Sequence, residues 1–77
     1  MKYIVFEDQS AIIFADCYDH KNMANGRPVK SAGFCTIETY RTAFDDIRAS
    51  ISCYGESLTL HVTSNPYDKE ILADIWR

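Results

Sequence analysis

The chain has 77 residues, of which 47% are hydrophobic and 25% are charged. This length predicts one domain, and the composition argues against intrinsic disorder, since disordered chains carry fewer apolar residues. The 8 basic and 11 acidic side chains give a net charge of −3, and they do not form the basic clusters that bind nucleic-acid phosphates. Direct nucleic-acid binding is therefore not expected.

The amino-terminal segment shows no targeting or membrane signal. Lys2 is followed by four apolar residues, and Glu7 and Asp8 then interrupt the run. A signal peptide needs about 7 to 15 consecutive apolar residues, and a membrane span needs about 20. The sequence thus predicts a cytoplasmic protein with no membrane partner.

The chain contains three cysteines, Cys17, Cys35 and Cys53. An odd number of cysteines in a chain without an export signal predicts reduced thiols rather than disulfides. Buried thiols of this kind pack as small hydrophobic side chains.

Two apolar runs open the predicted sheet. Residues 3–6 and residues 11–15 are separated by a polar loop at residues 7–10. Apolar residues at successive positions are typical of strands that are buried on both faces. Both runs are therefore predicted to be strands near the middle of the sheet.

A polar segment follows the second predicted strand. Residues 19–24 predict a short helical turn that ends at Asn25 and Gly26, because these residue types readily adopt the left-handed conformation of a helix C-terminus. Another strand is expected over residues 32–41, where apolar and polar side chains alternate less regularly. Residues 42–46 are predicted to form the loop to the next strand.

The most regular alternation of apolar and polar residues lies on both sides of Gly55 and Glu56. Residues 47–54 and 57–63 have the period of two that is typical of half-buried strands. A pair of residues that begins with glycine suits a two-residue hairpin turn between them. The resulting hairpin sets apolar residues opposite one another, in the pairs Cys53 with Leu58, Ile51 with Leu60 and Ala49 with Val62.

The outer face of this predicted hairpin is the candidate interaction surface. Its side chains are Arg48, Ser50, Ser52, Tyr54, Thr59 and His61. Tyrosine and arginine are over-represented among residues that dominate protein–protein binding, which favours a contact surface. The same residues also suit a plain solvated face, since antiparallel sheets often leave one face in water. Both interpretations stay open.

A C-terminal helix is predicted to begin at Pro66. Asn65 suits its cap, and proline suits the first helical position because it lacks the amide hydrogen that would be unpaired there. The expected apolar stripe consists of Tyr67, Ile71, Leu72, Ile75 and Trp76. The charged residues are expected largely on the opposite side, and they are Asp68, Lys69, Glu70, Asp74 and Arg77.

Together these elements predict an α+β fold for residues 1–77 as a single compact domain. The sheet is expected to be mostly antiparallel, with four to five strands, because most connections are too short for a crossover helix. A short helical turn follows the second strand, and the C-terminal amphipathic helix packs on one face.

The clearest candidates for chemistry are Cys17 and His20, which stand three residues apart beside Asp16 and Asp19. This spacing could bring together two metal ligands, or a thiol and a base. A structural zinc site normally needs two close ligand pairs, and the second pair is missing. We therefore assign no catalytic residue, metal ligand or cofactor, and we expect a chain that is not an enzyme.

Two short glycine-centred stretches carry a resemblance to a known group of proteins. Residues 28–35 read PVKSAGFC and residues 52–57 read SCYGES, and in these patterns the chain resembles small uncharacterised proteins encoded by phages and prophages. The resemblance implies a setting in which small accessory proteins often bind a host or phage protein. It transfers no functional residue.

The leading hypothesis from the sequence is a non-enzymatic protein-interaction module or a homodimer. An exposed edge strand is one route to such contacts, because its unpaired backbone groups can recruit another strand. One alternative is a small-molecule or metal-dependent activity that uses Cys17 and His20. A further alternative is an acidic mimic of nucleic acid that occupies a nucleic-acid-binding partner.

Overall fold

A computed structural model describes residues 1–76 of the chain. Its elements in chain order are β1 (Lys2–Phe6), β2 (Ala11–Phe14), α1 (His20–Ala24), β3 (Val29–Arg41), β4 (Ile47–Tyr54), β5 (Glu56–Ser57), β6 (Val62–Thr63) and α2 (Asp68–Trp76). An antiparallel sheet has the strand order β2-β1-β3-β4, and β5 pairs with β6 in a separate two-stranded sheet. The predicted α+β class, with a short helix after the second strand and a C-terminal helix, is confirmed.

The first strand is the buried centre of the larger sheet. Its residues Tyr3, Ile4, Val5 and Phe6 are all buried, because β2 and β3 flank the strand and other elements pack on both faces of the sheet. The predicted burial on both faces is therefore confirmed for β1. It is wrong for β2, which lies at an edge of the sheet and is mostly half-buried.

Each face of the sheet has its own hydrophobic core. The face under α2, called the α2 face, is built on the buried side chains of Tyr3, Val5, Cys35 and Leu72. The opposite face is covered by α1 and by the β5–β6 hairpin, and its buried side chains are Ile4, Phe6, Phe14, Ala24 and Ala32. The sheet is thus the middle layer of three.

The predicted hairpin between residues 47–54 and 57–63 is wrong. Strand β4 pairs with β3 instead, and the Cα partners include Cys35 with Cys53, Ile37 with Ile51 and Thr39 with Ala49. The apolar row of β4 fits either partner, but β3 has 13 residues and belongs to the central sheet, so it offers the longer ladder. Gly55, at φ 78, bends the chain away from the sheet, and β5 pairs locally with β6.

The C-terminal helix begins at Asp68, two residues later than predicted. The side chain of Asn65 accepts a hydrogen bond from the backbone of Tyr67 at 3.0 Å, which forms the turn that leads into the helix. The predicted exposure of Asp68 is wrong, because its side chain is 2% exposed. The apolar stripe is narrower than expected, since Tyr67 is 70% exposed while Leu72 is buried. The predictions for the Trp76 side chain and for Arg77 lie outside the part of the chain that the structure describes.

The pair β3–β4 extends beyond β1 and β2 as a two-stranded arm, and the base of this arm packs under α2 at Ile51. The pairing of β1 with β3 ends at Met1 and Cys35, whereas β3 continues to Arg41. The radius of gyration is 13.0 Å, compared with about 11.5 Å for a compact chain of this length. We call residues 36–52 the arm.

Candidate interaction surface

Four of the six residues predicted for the interaction surface lie together. Arg48, Ser50, Ser52 and Tyr54 occupy alternate positions of β4 and are exposed on the sheet face opposite α2. Thr59 and His61 lie in the turn between β5 and β6. The structure therefore does not place them on the same strand pair, because the hairpin that would have aligned them does not form.

Strand β3 supplies the other half of this surface. Thr36, Glu38 and Tyr40 lie directly opposite Ser52, Ser50 and Arg48 in the antiparallel register, and residues opposite each other share a face. We call these six residues the arm face. The sequence did contain a signal for the β3 members, since Phe34, Thr36, Glu38 and Tyr40 fall at alternate positions.

The tip of the arm exposes large apolar side chains. Phe44 is 89% exposed, Ile47 is 71% exposed and Tyr40 is 52% exposed. Tyr40 and Ile47 lie on opposite faces of the strand pair, and Phe44 lies in the loop that joins the strands. Single exposed apolar residues are common, but three of them at the end of one projection favour a contact site. From the sequence, Tyr40 and Phe44 fit a core position, a dimer contact or both, and the general preference of aromatic residues for the interior favours the core. Their exposure shows that the preference for the core is wrong.

The loop at the tip is held by its own hydrogen bonds. The backbone N–H of Thr42 donates to the carbonyl oxygen of Asp46 at 2.8 Å, and its hydroxyl accepts from the N–H groups of Phe44 and Asp46 at 3.3 Å. Asp45 adopts a left-handed conformation with φ 65 and accepts a side-chain bond from Arg41 at 3.0 Å. These bonds give the loop a definite shape, and the Phe44 ring remains in solvent.

The backbone of β4 presents an open edge. Met1 and Cys35 exchange backbone hydrogen bonds of 2.8 and 3.2 Å, so Cys35 directs its N–H and C=O toward β1. These groups alternate in direction along an antiparallel strand. The residues of β4 opposite Cys35, Ile37, Thr39 and Arg41 therefore direct theirs away from β3. We call these outward residues, and they are Ile47, Ala49, Ile51 and Cys53.

Tyr54 belongs to an aromatic row that supports the sheet. Its ring stacks on that of Phe34, with centroids 5.9 Å apart, and Phe34 meets the His20 ring edge-on at 5.9 Å. His20 in turn meets Phe14 at 5.5 Å. Tyr54 is therefore fixed by packing on one side while it remains half exposed on the other.

The structure gives Cys17 and His20 different surroundings. Cys17 is exposed in the segment between β2 and α1, whereas His20 is 5% exposed at the start of α1. The ring nitrogen Nε2 of His20 lies 2.8 Å from the carbonyl oxygen of Gly33, so it donates to that carbonyl. Among residues 1–76, no group of three or more histidine, cysteine or acidic side chains is arranged to hold a metal ion.

The buried carboxylate of Asp68 joins α2 to the sheet. It accepts hydrogen bonds from the Tyr3 hydroxyl at 2.5 Å, the Ser31 hydroxyl at 2.7 Å and the backbone N–H of Asn65 at 2.8 Å. Burial raises the pKa of the Tyr3 hydroxyl far above its ordinary value, and its bond to Asp68 acts in the same direction. Each of these partners belongs to the chain itself, which gives the carboxylate a structural role.

Two of the thiols lie opposite each other under α2. Cys35 and Cys53 are directly opposite on β3 and β4, and Cys35 is fully buried. Burial raises the pKa of the Cys53 thiol to about 11, and the nearby Cys35 adds to the effect. Burial also raises the pKa of Cys35. Both thiols are therefore protonated at neutral pH.

Comparisons with protein-family models, with curated proteins and with solved structures gave no match to this chain. Within residues 1–76, no helix is both long enough and apolar enough to cross a membrane. The arm, with its exposed tip and open edge, is the feature of this chain on which a function can be based.

Proposed function

We propose that this chain is a small non-enzymatic protein-interaction module and that the arm is its binding element. The observation that carries this proposal is the exposure of three large apolar side chains at the end of the arm, which are Tyr40 on the arm face, Phe44 in the loop and Ile47 on the α2 face. Holding large apolar groups in water is unfavourable, and a protein partner that covers them gains about 25 cal/mol for each Å² removed from water.

The chemistry of the arm face supports a protein partner. Arg48 and Tyr40 lie opposite each other, and both residue types are common where binding energy is concentrated. The cations Arg41 and Arg48 alternate with acidic residues along the arm, so no basic patch forms that would favour a phosphate backbone. A polar face beside an apolar tip has the composition of a rim beside a contact centre.

The hydrogen bonds of the buried polar groups also support a non-enzymatic role. Asp68, Ser31 and His20 are buried, and each is hydrogen-bonded to another part of the chain. Such groups stabilise the fold when they are satisfied internally, and they are then not directed at a substrate. The resemblance to phage and prophage proteins adds a setting, in which the partner is a host or phage protein.

The test is affinity capture from the native host with matched variants. The double variant Tyr40→Ser with Phe44→Ser removes two of the three exposed apolar side chains of the tip. Tyr67→Ser removes an aromatic side chain that is also exposed but lies directly before α2. A partner is expected to be captured by the wild type and by Tyr67→Ser, and to be lost with the double variant. Equal capture by all three proteins, or none by any of them, would contradict the proposal.

A further inference from the structure

We propose that two copies of this chain associate through the outer edges of their β4 strands, which run antiparallel about a two-fold axis at Ser50. This inference rests on the proposed function and deepens it, because it names a second copy as a partner of the arm. The two four-stranded sheets then form one continuous sheet across the axis. Pairing through the same element of both copies gives a closed dimer.

The outward residues of β4 supply the hydrogen bonds. With the axis at Ser50, Ile47 lies opposite Cys53 of the second copy, and Ala49 lies opposite Ile51 of the second copy. All four residues direct their N–H and C=O groups outward, and none of them makes a backbone bond elsewhere in the described chain. Each such pair exchanges two hydrogen bonds in an antiparallel ladder.

The side chains of this register are self-complementary. On the α2 face, the row across the axis is apolar throughout, and apolar cross-strand pairs stabilise a sheet. On the arm face, Arg48 lies opposite Ser52 of the second copy and Ser50 lies opposite its own counterpart. Like charges therefore do not meet anywhere along β4.

The neighbouring registers fit less well. An axis at Ala49 would set Cys53 opposite the charged Asp45 of the second copy. An axis at Ile51 would set Asp46 opposite Glu56, and like charges directly opposite each other destabilise a sheet. The charge pattern of the chain therefore favours Ser50 as the axis.

Strand β4 carries little of the protection that is usual for an edge strand. Natural edge strands are protected by being short or by carrying charged residues, proline or a bulge, and Arg48 is the one charged residue of β4. The other edge strand, β2, has four residues, whereas β4 has eight and contains no proline or lysine. The register of β4 with β3 is continuous, so its outer edge is regular enough to accept another strand.

The test combines sedimentation with site-directed cross-linking in a Cys17→Ser background. Ser50→Cys would place two thiols on the axis, with Cα atoms about 4.5 Å apart, which is within the range of a disulfide. Oxidised glutathione takes the two electrons and two protons and leaves as two reduced molecules. Ser52→Cys is the matched control, because its two thiols would be about 13 Å apart. Wild type is expected to sediment as a dimer. Of the two cysteine variants, Ser50→Cys is expected to form a cross-linked dimer and Ser52→Cys is not.

A charge variant tests the same axis without a covalent bond. Ser50→Lys faces Glu38 within its own chain, which supports the fold, but it sets two ammonium groups opposite each other in the dimer. The dissociation constant of the dimer is expected to rise at least about tenfold.

Three results would overturn the dimer. They are a wild type that is monomeric at every concentration, equal cross-linking of the two cysteine variants, and a Ser50→Lys variant that dimerises as well as wild type. None of these results would test the proposed function, because the capture experiment depends on Phe44 in the loop and not on the outer edge of β4. Conversely, a cross-linked dimer whose captured partners do not depend on Phe44 would contradict the proposed function and leave the dimer standing.

Discussion

At the scale of single residues, Asp68 shows how one carboxylate fixes a helix to a sheet. It accepts bonds from β1, from β3 and from the turn before α2. The sequence predicted its place in the first turn of the helix, where the helix dipole favours a negative charge. It could not reveal the bond to Tyr3, because that partner lies 65 positions away in the chain and helical periodicity reports only on neighbours.

Replacing this carboxylate should cost much of the stability of the fold. Asp68→Ala leaves the buried hydroxyls of Tyr3 and Ser31 without an acceptor, and each unsatisfied group costs about 1–3 kcal/mol. We expect the free energy of unfolding, measured in urea, to fall by about 2–5 kcal/mol. Glu70→Ala, an exposed acidic residue of the same helix, is the control and should change it by less than about 0.5 kcal/mol. Equal effects of the two variants would refute the structural role of Asp68.

The thiols should fall into two classes of reactivity. Iodoacetamide reacts with the thiolate, so exposure and pKa set the rate. Cys17 is exposed and should be alkylated first, whereas the pKa of Cys53, raised to about 11, reduces its thiolate about a hundredfold near pH 8. A time course by mass spectrometry should show one fast modification, which is absent in Cys17→Ser. Fast modification of Cys53 in the folded protein would contradict this prediction.

At the scale of elements, the alternation of residues 47–54 predicted a strand correctly and its partner wrongly. A period of two defines which side chains share a face, but it does not choose among strands that offer a matching row. Two rows of side chains match the apolar row of β4. One lies on β3 and consists of Cys35, Ile37 and Thr39, and the other consists of Leu58, Leu60 and Val62. What decides is the length of β3 and its place in the central sheet, which are properties of the whole topology.

Consequently, four residues of the candidate surface were predicted from the sequence and its other half was missed. The alternation of β4 placed Arg48, Ser50, Ser52 and Tyr54 on one face, as observed. Their neighbours Thr36, Glu38 and Tyr40 follow only from the β3–β4 register, and the exposure of Phe44 follows only from the shape of the loop. The local pattern of apolar and polar residues determines neither the β3–β4 register nor the shape of the loop.

Substitution of two glycines by alanine tests two different reasons for glycine. At Gly33 the reason is lack of space for a side chain, and at Gly26 it is the left-handed backbone conformation. An added Cβ at Gly33 would lie 2.5 Å from the backbone oxygen of Tyr54, whereas at Gly26 it would meet nothing within 4 Å but φ is +78. Gly33→Ala should lower the free energy of unfolding by about 1–3 kcal/mol or more, because β3 and β4 must separate. Gly26→Ala should cost about 1–2 kcal/mol from left-handed strain alone.

Amide hydrogen exchange distinguishes these two effects. Gly33→Ala should weaken protection along β3 and β4, since the clash lies between these strands. Gly26→Ala should leave the protection of β4 close to that of wild type after correction for its overall stability. Retained β4 protection in Gly33→Ala would show that the clash at Gly33 is relieved without moving the strands. Loss of β4 protection in Gly26→Ala would show that the strain at Gly26 is not local.

At the scale of the whole molecule, the groups buried under α2 make the fold sensitive to alkali. Burial raises the pKa of Tyr3, Cys35 and Cys53 in the folded chain. A raised pKa means that the folded state holds the proton more tightly than the unfolded state does. The stability from this source is therefore fully present below the unfolded pKa, which is 9.0 for the thiols, and is lost as pH rises toward the folded value.

The free energy of unfolding should accordingly be level from neutral pH to about pH 9 and then decline. Each group that ionises only in the unfolded chain adds a slope of at most about 1.4 kcal/mol per pH unit. For Cys53 this interval runs from 9.0 to about 11. Cys53→Ala should therefore reduce the alkaline slope in urea titrations made at successive pH values, even if it lowers stability overall. Parallel curves for wild type and Cys53→Ala would mean that burial of this thiol does not account for the alkaline loss.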